Sequence, residues 1–236
     1  MPMATQTDAL PEARVPLTRD RILRAAVDLA DRVGFESVSM RKVGQELGVE
    51  AMSLYNHVAN KEEILDGMIE LILGEIEDDL GGFAVQTDGA DWKAAMRHRI
   101  LSAREVMLRH PWAPRLIESR TAMSPIMMRY ADTLLGILRE GGFSYDLAHH
   151  AMHVLGSRML GFAQELFEPE DKDQADVDAD RMLRQMASQV PYIAGMMMEI
   201  AHDQPDSTLG WCDDQTEFEF GLDLILDGLD RLRDQG

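Results

Sequence analysis

Cysteine is all but missing: Cys212 stands alone in 236 residues, so neither an intrachain disulfide nor a thiolate-based zinc site can be built, and this usage fits a reducing compartment. No apolar run approaches the roughly 18 residues of a membrane span. Residues 1–16 carry acidic groups and no apolar stretch of signal-peptide length. The expected location is therefore the cytoplasm, with no membrane partner. A Gly-rich phosphate loop, a nucleophile elbow, an H-E-x-x-H metal signature and paired carboxylates in an apolar setting are all absent. No enzyme and no cofactor are expected on that ground. Strand-like alternation of useful length and internal repeats are lacking too. Basic charge is scarce, with 23 Lys and Arg against 42 Asp and Glu and a net charge of −19. What remains, 45% hydrophobic and 28% charged residues, is the balance of a globular chain.

So acidic a chain is an unpromising partner for DNA, because neutralising phosphates demands a basic surface. The charge is unevenly placed, however. Residues 1–61 hold eight basic and eight acidic side chains, and residues 62–236 carry the whole excess. Two explanations stand: a larger acidic part held away from DNA while a small neutral part presents a local basic edge, or ordinary solubilising charge.

Almost every segment has helical periodicity. From Thr18, suited to N-capping, apolar residues recur at Ile22, Ala26, Leu29 and Val33, and Gly34 then ends the helix. Ser39 can cap a short helix carrying Val43 and Leu47, which Gly48 ends. A third short helix is expected over 50–57. Asn60 followed by Glu63 forms a capping-box pattern opening a long fourth helix over 61–80, with Ile64, Leu65, Met68, Ile69 and Ile72 as its stripe. Gly81, Gly82 and the polar stretch to Gly89 mark a loop. Further helices are expected over 91–110, 112–120, 125–140, 144–167, 180–189, 191–202 and 213–233, with an acidic loop over 168–180.

The segment SMRKVGQELGVEAMSLYNHVANK, residues 39–61, has the geometry of two short helices joined by a tight glycine turn. That arrangement lets the second helix enter a major groove while the first crosses the backbone. Val43, Leu47 and Leu54 can pack the pair on the first helix. Arg41, Lys42 and Lys61 supply positive charge for phosphates.

The stretch RKVGQELGVEAMSLYNHVANKEEILDGM, residues 41–68, resembles the DNA-binding signature of the tetracycline-repressor family, including Leu-Tyr-x-His-Val at 54–58 and the Asn60-Lys61 pair. The resemblance starts at Leu17 and extends to Gly142-Phe143-Ser144, Gly156, Gly161 and FEFGLDLILDGL at 218–229. It implies an all-α protein: a flexible extension over 1–16, a three-helix helix-turn-helix DNA-binding domain over 17–61, and a larger helical ligand-binding and dimerisation domain over 62–236. Carried over by position, Ser39, Met40, Arg41, Ala51, Met52, Ser53, Tyr55, Asn56, His57 and Lys61 fall where family members contact operator DNA. Arg41 suits a bidentate pair with guanine, the apolar groups of Ala51 and Met52 suit a thymine methyl, and Tyr55, His57 and Lys61 suit phosphates. Tyr55 also fits a second role, packing within the domain, and Ala51 and Met52 also fit plain surface tolerance. Ala51, Met52 and Asn56 depart from the larger, polar or aromatic residues of the tetracycline repressor, so no operator sequence is carried over.

The resemblance further implies a homodimer through helices 144–167 and 213–233, double-stranded operator DNA as partner, and release by a small-molecule effector. Repression is the leading expectation; activation, or a ligand-binding module without specific DNA binding, are the alternatives. Where family members hold a metal-chelated drug through His, Asn and Gln, the matching positions here are Glu77, Leu134 and Ser157, which points away from that ligand. Methionines at 123, 127, 128, 152, 159, 182, 186 and 196–198 suit either an adaptable apolar pocket or a plain helical core. Trp112, Leu116, Met127, Tyr130, Leu134, His153 and Ser157 are the pocket candidates. His149, His150 and His153 form the one metal-like cluster, with His149 and His153 at i, i+4; lacking a carboxylate motif, it is expected to be a surface or interface group.

Overall fold

The computed structural model describes residues 16–81, 91–161, 187, 189–200 and 214–235. The 1–15 extension, the loop over 82–90, the acidic 168–180 segment, most of the 180–189 helix and Cys212 lie outside the described residues. Every regular element among those described is helical: α1 Arg19–Val33, a 3-10 turn Phe35–Ser37, α2 Met40–Leu47, α3 Ala51–Leu54, α4 Lys61–Asp79, α5 Trp92–Arg109, α6 Ala113–Glu118, α7 Pro125–Glu140, α8 Tyr145–Gly161, α9 Pro191–Ile200 and α10 Asp214–Arg233. None of the described helices is long and apolar enough to cross a membrane.

The chain forms two compact units, Met1–Phe83 with Glu105–Ala131, and Ala84–Arg104 with Asp132–Gly236. In the first, the Thr18 hydroxyl accepts from the Arg21 amide at 3.2 Å and fixes the start of α1. Ile22, Leu23, Ala26, Val27, Leu29 and Ala30 are buried on that helix. The expected stripe stops there: Val33 is 53% exposed, because α1 ends at that residue and Gly34 turns the chain, its amide closing on the Ala30 carbonyl at 2.8 Å. The α4 start is fixed reciprocally. Asn60 Oδ1 accepts from the Glu63 amide at 2.9 Å, and the Glu63 carboxylate accepts from the Ala59 amide at 2.6 Å. This is the expected capping box with the return bond shifted one residue upstream. Ile64, Leu65, Met68, Ile69, Ile72, Leu73 and Ile76 then bury the inner face of α4.

The second unit is built around Trp92, Met96, Ile100, Ile137, Leu138, Phe143, Ala151, Leu155, Phe218, Leu222 and Leu226. Trp92 meets Phe143 edge to face, with ring centroids 4.6 Å apart. A polar seam joins α5 to α10: Trp92 Nε1 donates to Asp230, Lys93 pairs with Asp227, Arg97 with Asp223 at 2.8 Å and Glu219 at 2.6 Å, and Arg104 donates to Gln215. The α10 partners recur every three or four residues and so line one stripe. Partly exposed ion pairs contribute about 0–1 kcal/mol each, against about 1.5–3 kcal/mol for each fully buried large apolar side chain. The core therefore holds α10 in place, and the seam fixes its register.

Gln215 and then Arg97 hold the Glu219 carboxyl below the usual carboxylate range, and Lys93 does the same for Asp227. Carboxyls depressed in the folded state stabilise it fully above the ordinary carboxylate range, and that contribution is lost as pH falls below this range through the lower folded-state values. The thermal unfolding midpoint is expected to drop as pH is lowered from about 5 to about 2. The drop should be smaller in Asp227→Asn; an equal drop in that variant contradicts the seam's contribution.

Candidate nucleic-acid interface

The short helices α2 and α3 owe their arrangement to two glycines. Gly48 closes α2 in the left-handed region at φ 66°, its amide donating to the Gln45 and Gly44 carbonyls. Gly44 lies where the two helices meet. A Cβ there would sit 2.9 Å from the Val49 carbonyl oxygen and 3.3 Å from the Ala51 backbone, and the Val49 amide donates to the Gly44 carbonyl at 2.9 Å. Sequence reasoning singled out Gly48 and missed Gly44, because a glycine within a helix gives no turn signal and its reason is a close approach of backbone to backbone. The Ser39 hydroxyl caps α2 by accepting from the Lys42 amide at 3.3 Å.

The third helix is shorter than the expected 50–57. Regular structure covers Ala51–Leu54, after which the His57 and Val58 amides both turn back to the Leu54 carbonyl. The cause is anchoring: Leu54 is fully buried and Val58 is 2% exposed, so the chain must dive inward before the extended Asn60 cap. Residues 55–57 are left in a turn that faces outward.

This folding sorts the eleven sequence candidates. Arg41, Lys42, Met52, Tyr55, Asn56 and His57 are exposed, and Ser39, Met40, Ala51, Ser53 and Lys61 are half-buried. Met52 is 73% exposed and Tyr55 49%, which removes Tyr55 from the packed interior. The six exposed residues lie on α2, α3 and the following turn, while Val43, Leu54 and Val58 are buried in the core.

The charges of this head resolve the difficulty of its zero net charge. Arg19 pairs with Glu70 at 3.0 Å, Arg24 with Asp20 at 2.9 Å and Arg32 with Glu46 at 2.7 Å. Glu36 and Glu62 are drawn off by Arg115 at 3.0 Å and Arg120 at 2.8 Å. Arg41 and Lys42 form no ion pair among the described residues, and Lys61 Nζ donates to the Glu36 carbonyl at 3.4 Å. Glu50 beside α3 and Asp28 on α1 are the exposed acids of the head that form no ion pair among the described residues. Internal pairing cancels most of the head's charge and leaves three cations at the ends of the α2–α3 unit, where phosphates would lie.

The seven pocket candidates divide between the units. Trp112, Leu116, Met127 and Tyr130 fall in the first, and Leu134, His153 and Ser157 in the second. Leu116 is fully buried and Tyr130 is 7% exposed, whereas His153 and Ser157 lie on the exposed side of α8. The His149 ring meets His153 edge to face at 4.6 Å and His150 at 5.6 Å. Among the described residues, no three His, Cys, Asp or Glu side chains are grouped so as to hold a metal ion.

A capped short helix, a glycine turn and a second helix with exposed side chains and unspent cations define a helix-turn-helix regulator. Residues 22–68 match bacterial regulatory proteins of the tetR family, and residues 86–233 match the tetracyclin repressor-like C-terminal domain. The chain belongs to the tetracycline-repressor family of transcription regulators, which are DNA-binding proteins and not enzymes. The HTH-type transcriptional repressor DrrR1 of Streptomyces coeruleorubidus is 32% identical over 92% of this chain and 78% of that protein. The class C tetracycline repressor protein of Escherichia coli is 27% identical over 92% of each. Among solved structures, apo ActR from Streptomyces coelicolor superposes with a TM-score of 0.71 at 27% identity, covering 94% of this chain and 99% of that one. ActR in complex with actinorhodin matches with a TM-score of 0.69 at 28% identity, over 91% and 95% of the two chains. The chain is thus a ligand-responsive transcriptional repressor by family.

Gly44→Val is expected to destabilise the first unit by about 1–3 kcal/mol, the usual cost of overpacking, and to abolish DNA binding. Circular dichroism melting and an electrophoretic shift check both; an unchanged melting point removes the contact at Val49 as the reason for this glycine.

Proposed function

We propose that the protein acts in the cytoplasm as a homodimer, binds a palindromic operator through residues 39–61, and is released by a small apolar effector taken up by the domain spanning 62–236. The observation that carries the DNA reading is the outward face of α2 and α3, on which Arg41 and Lys42 are exposed and unspent by internal ion pairs. Arg41, one residue inside the α2 start, is assigned to a guanine edge; Met52 and Ala51 to apolar base contact; Ser39, Met40, Lys42, Ser53, Tyr55, Asn56, His57 and Lys61 to phosphates and flanking groups. Symmetric recognition follows from a two-fold dimer, with half-sites about 34–36 Å apart.

Helices α8 and α10 support the dimer. Phe220 is 64% exposed and Leu224 55% exposed, one turn apart on α10, while α8 exposes Val154 at 46%. Such faces on neighbouring long helices are the material of a four-helix interface. An apolar effector is supported by the methionine content of the second half. Relatives of similar length include tetracycline repressors and ActR crystallised with actinorhodin, so small organic effectors are the class to screen.

Selection from random duplexes is expected to enrich a palindrome, and no enriched sequence would overturn the reading. On that palindrome, Arg41→Ala is expected to cost about 1–3 kcal/mol, measured by fluorescence anisotropy; unchanged affinity removes Arg41 from the base contacts. Leu224→Glu is expected to give a monomer in analytical ultracentrifugation that no longer binds the palindrome, and a dimer that persists places the interface elsewhere.

A further inference from the structure

The turn between α5 and α6 carries polar groups that the proposed DNA contacts do not use. Asp31, in the last turn of α1, accepts two hydrogen bonds on one oxygen: Trp112 Nε1 donates to Oδ1 at 2.6 Å, and His110 Nδ1 lies 2.8 Å from the same atom. The other imidazole nitrogen, Nε2, lies 3.3 Å from Glu75 on α4. Pro111 separates the two donors, and the Ala113 amide closes the turn on the His110 carbonyl at 2.8 Å. Trp112 is 6% exposed and His110 9% exposed, and their rings meet edge to face with centroids 5.8 Å apart.

Magnitudes separate this contact from the other links between α6 and the head. Arg115 and Glu36 are 74% and 53% exposed, so that pair contributes about 0–1 kcal/mol. The Asp31 carboxylate is only partly buried, its side chain 30% exposed, but both donors are buried. Such charge-assisted bonds are about twice as strong as neutral ones, while leaving a buried donor without its acceptor is costly. The Arg120 pairs with Glu62 and Asp66 reach α4 only. Among the described residues, Asp31 is the α1 side chain that hydrogen-bonds the start of α6, and α1 is the helix on which α2 is packed, with α3 packed on α2 in turn.

We propose that Asp31, with Trp112 and His110, is a positioning clasp that couples α6 directly to the reading head. It fixes the head's orientation, and DNA held by α2 and α3 is in turn felt at the Trp112 indole. The inference rests on the DNA-binding reading above. Loss of the clasp gives each head orientational freedom that must be given up when two heads seat in grooves at a fixed spacing, and this weakens binding. By reciprocity of linked equilibria, DNA binding must change the clasp.

The test uses the full-length protein and the selected palindrome, with DNA anisotropy and the tryptophan indole ¹H–¹⁵N spectrum followed together. The chain has three tryptophans, and the Trp112→Phe spectrum assigns the resonance. In the wild type the Trp112 indole signal is expected to move on addition of DNA. Asp31→Ala should bind about 2- to 30-fold more weakly, the range for residues along a coupling network, with an indole signal that no longer responds. Asp31→Asn, which keeps the acceptor oxygen, should recover most of the affinity and the response, and covers the case in which Asp31→Ala does not fold. A purely structural role would lower the melting point of Asp31→Ala while its indole still responded to DNA, and that result overturns the proposal. Binding by the wild type with no movement at Trp112 overturns the clasp alone. No binding by the wild type overturns the DNA reading and the clasp with it.

Discussion

Repulsion between an acidic protein and an acidic polymer is the constraint that everything else in this molecule must satisfy. With 42 carboxylates against 23 cations, attraction to DNA has to be made locally, within about a Debye length of 8–10 Å. The head meets that demand by consuming its own acids. Glu46 is bound by Arg32 and Glu36 by Arg115 from outside the three-helix head, and Glu62, just past the head on α4, is bound by Arg120. Arg41 and Lys42 are then left to face solvent. Exposed pairs of this kind add little to stability. Their effect is on the field, since each pairing removes a negative charge that would otherwise stand beside a phosphate.

Placement of those cations depends on packing too tight for ordinary side chains. The Gly44 approach to Val49 sets the distance between α2 and α3, and the burial of Leu54 and Val58 shortens α3 and pushes Tyr55, Asn56 and His57 outward. Capping fixes both ends of this assembly, at Ser39 for α2 and at Asn60 with Glu63 for α4. Sequence, local geometry and surface chemistry thus follow in one line: a glycine permits the close pair, the pair presents six exposed residues, and the neutralised surroundings let the basic ones act.

Much of this was legible in the amino-acid sequence. The helical periodicity, the caps at Thr18, Ser39 and Asn60, the Gly48 turn and the family signature over 41–68 are all local signals, and local signals survive without coordinates. Three features were not legible. Gly44 answers to a contact across two helices, and Val33 is exposed because its helix ends where the stripe would have continued. The clasp joins residues 79 to 81 positions apart in the chain, and a lone Asp within an amphipathic helix looks like any solvated charge. An effector cavity is illegible for the same reason: it is a property of several helices together, and periodicity reports only on one at a time.

The salt dependence of operator binding tests the central claim most directly. If Lys42 and Lys61 of each head neutralise phosphates while the rest of the acidic chain is kept out of reach, the logarithm of affinity should fall linearly with the logarithm of salt concentration, with a slope of about −4 for a dimer. Asp and Glu acting at close range would instead flatten the slope. A value near zero, or binding that strengthens as salt is added, would contradict the account.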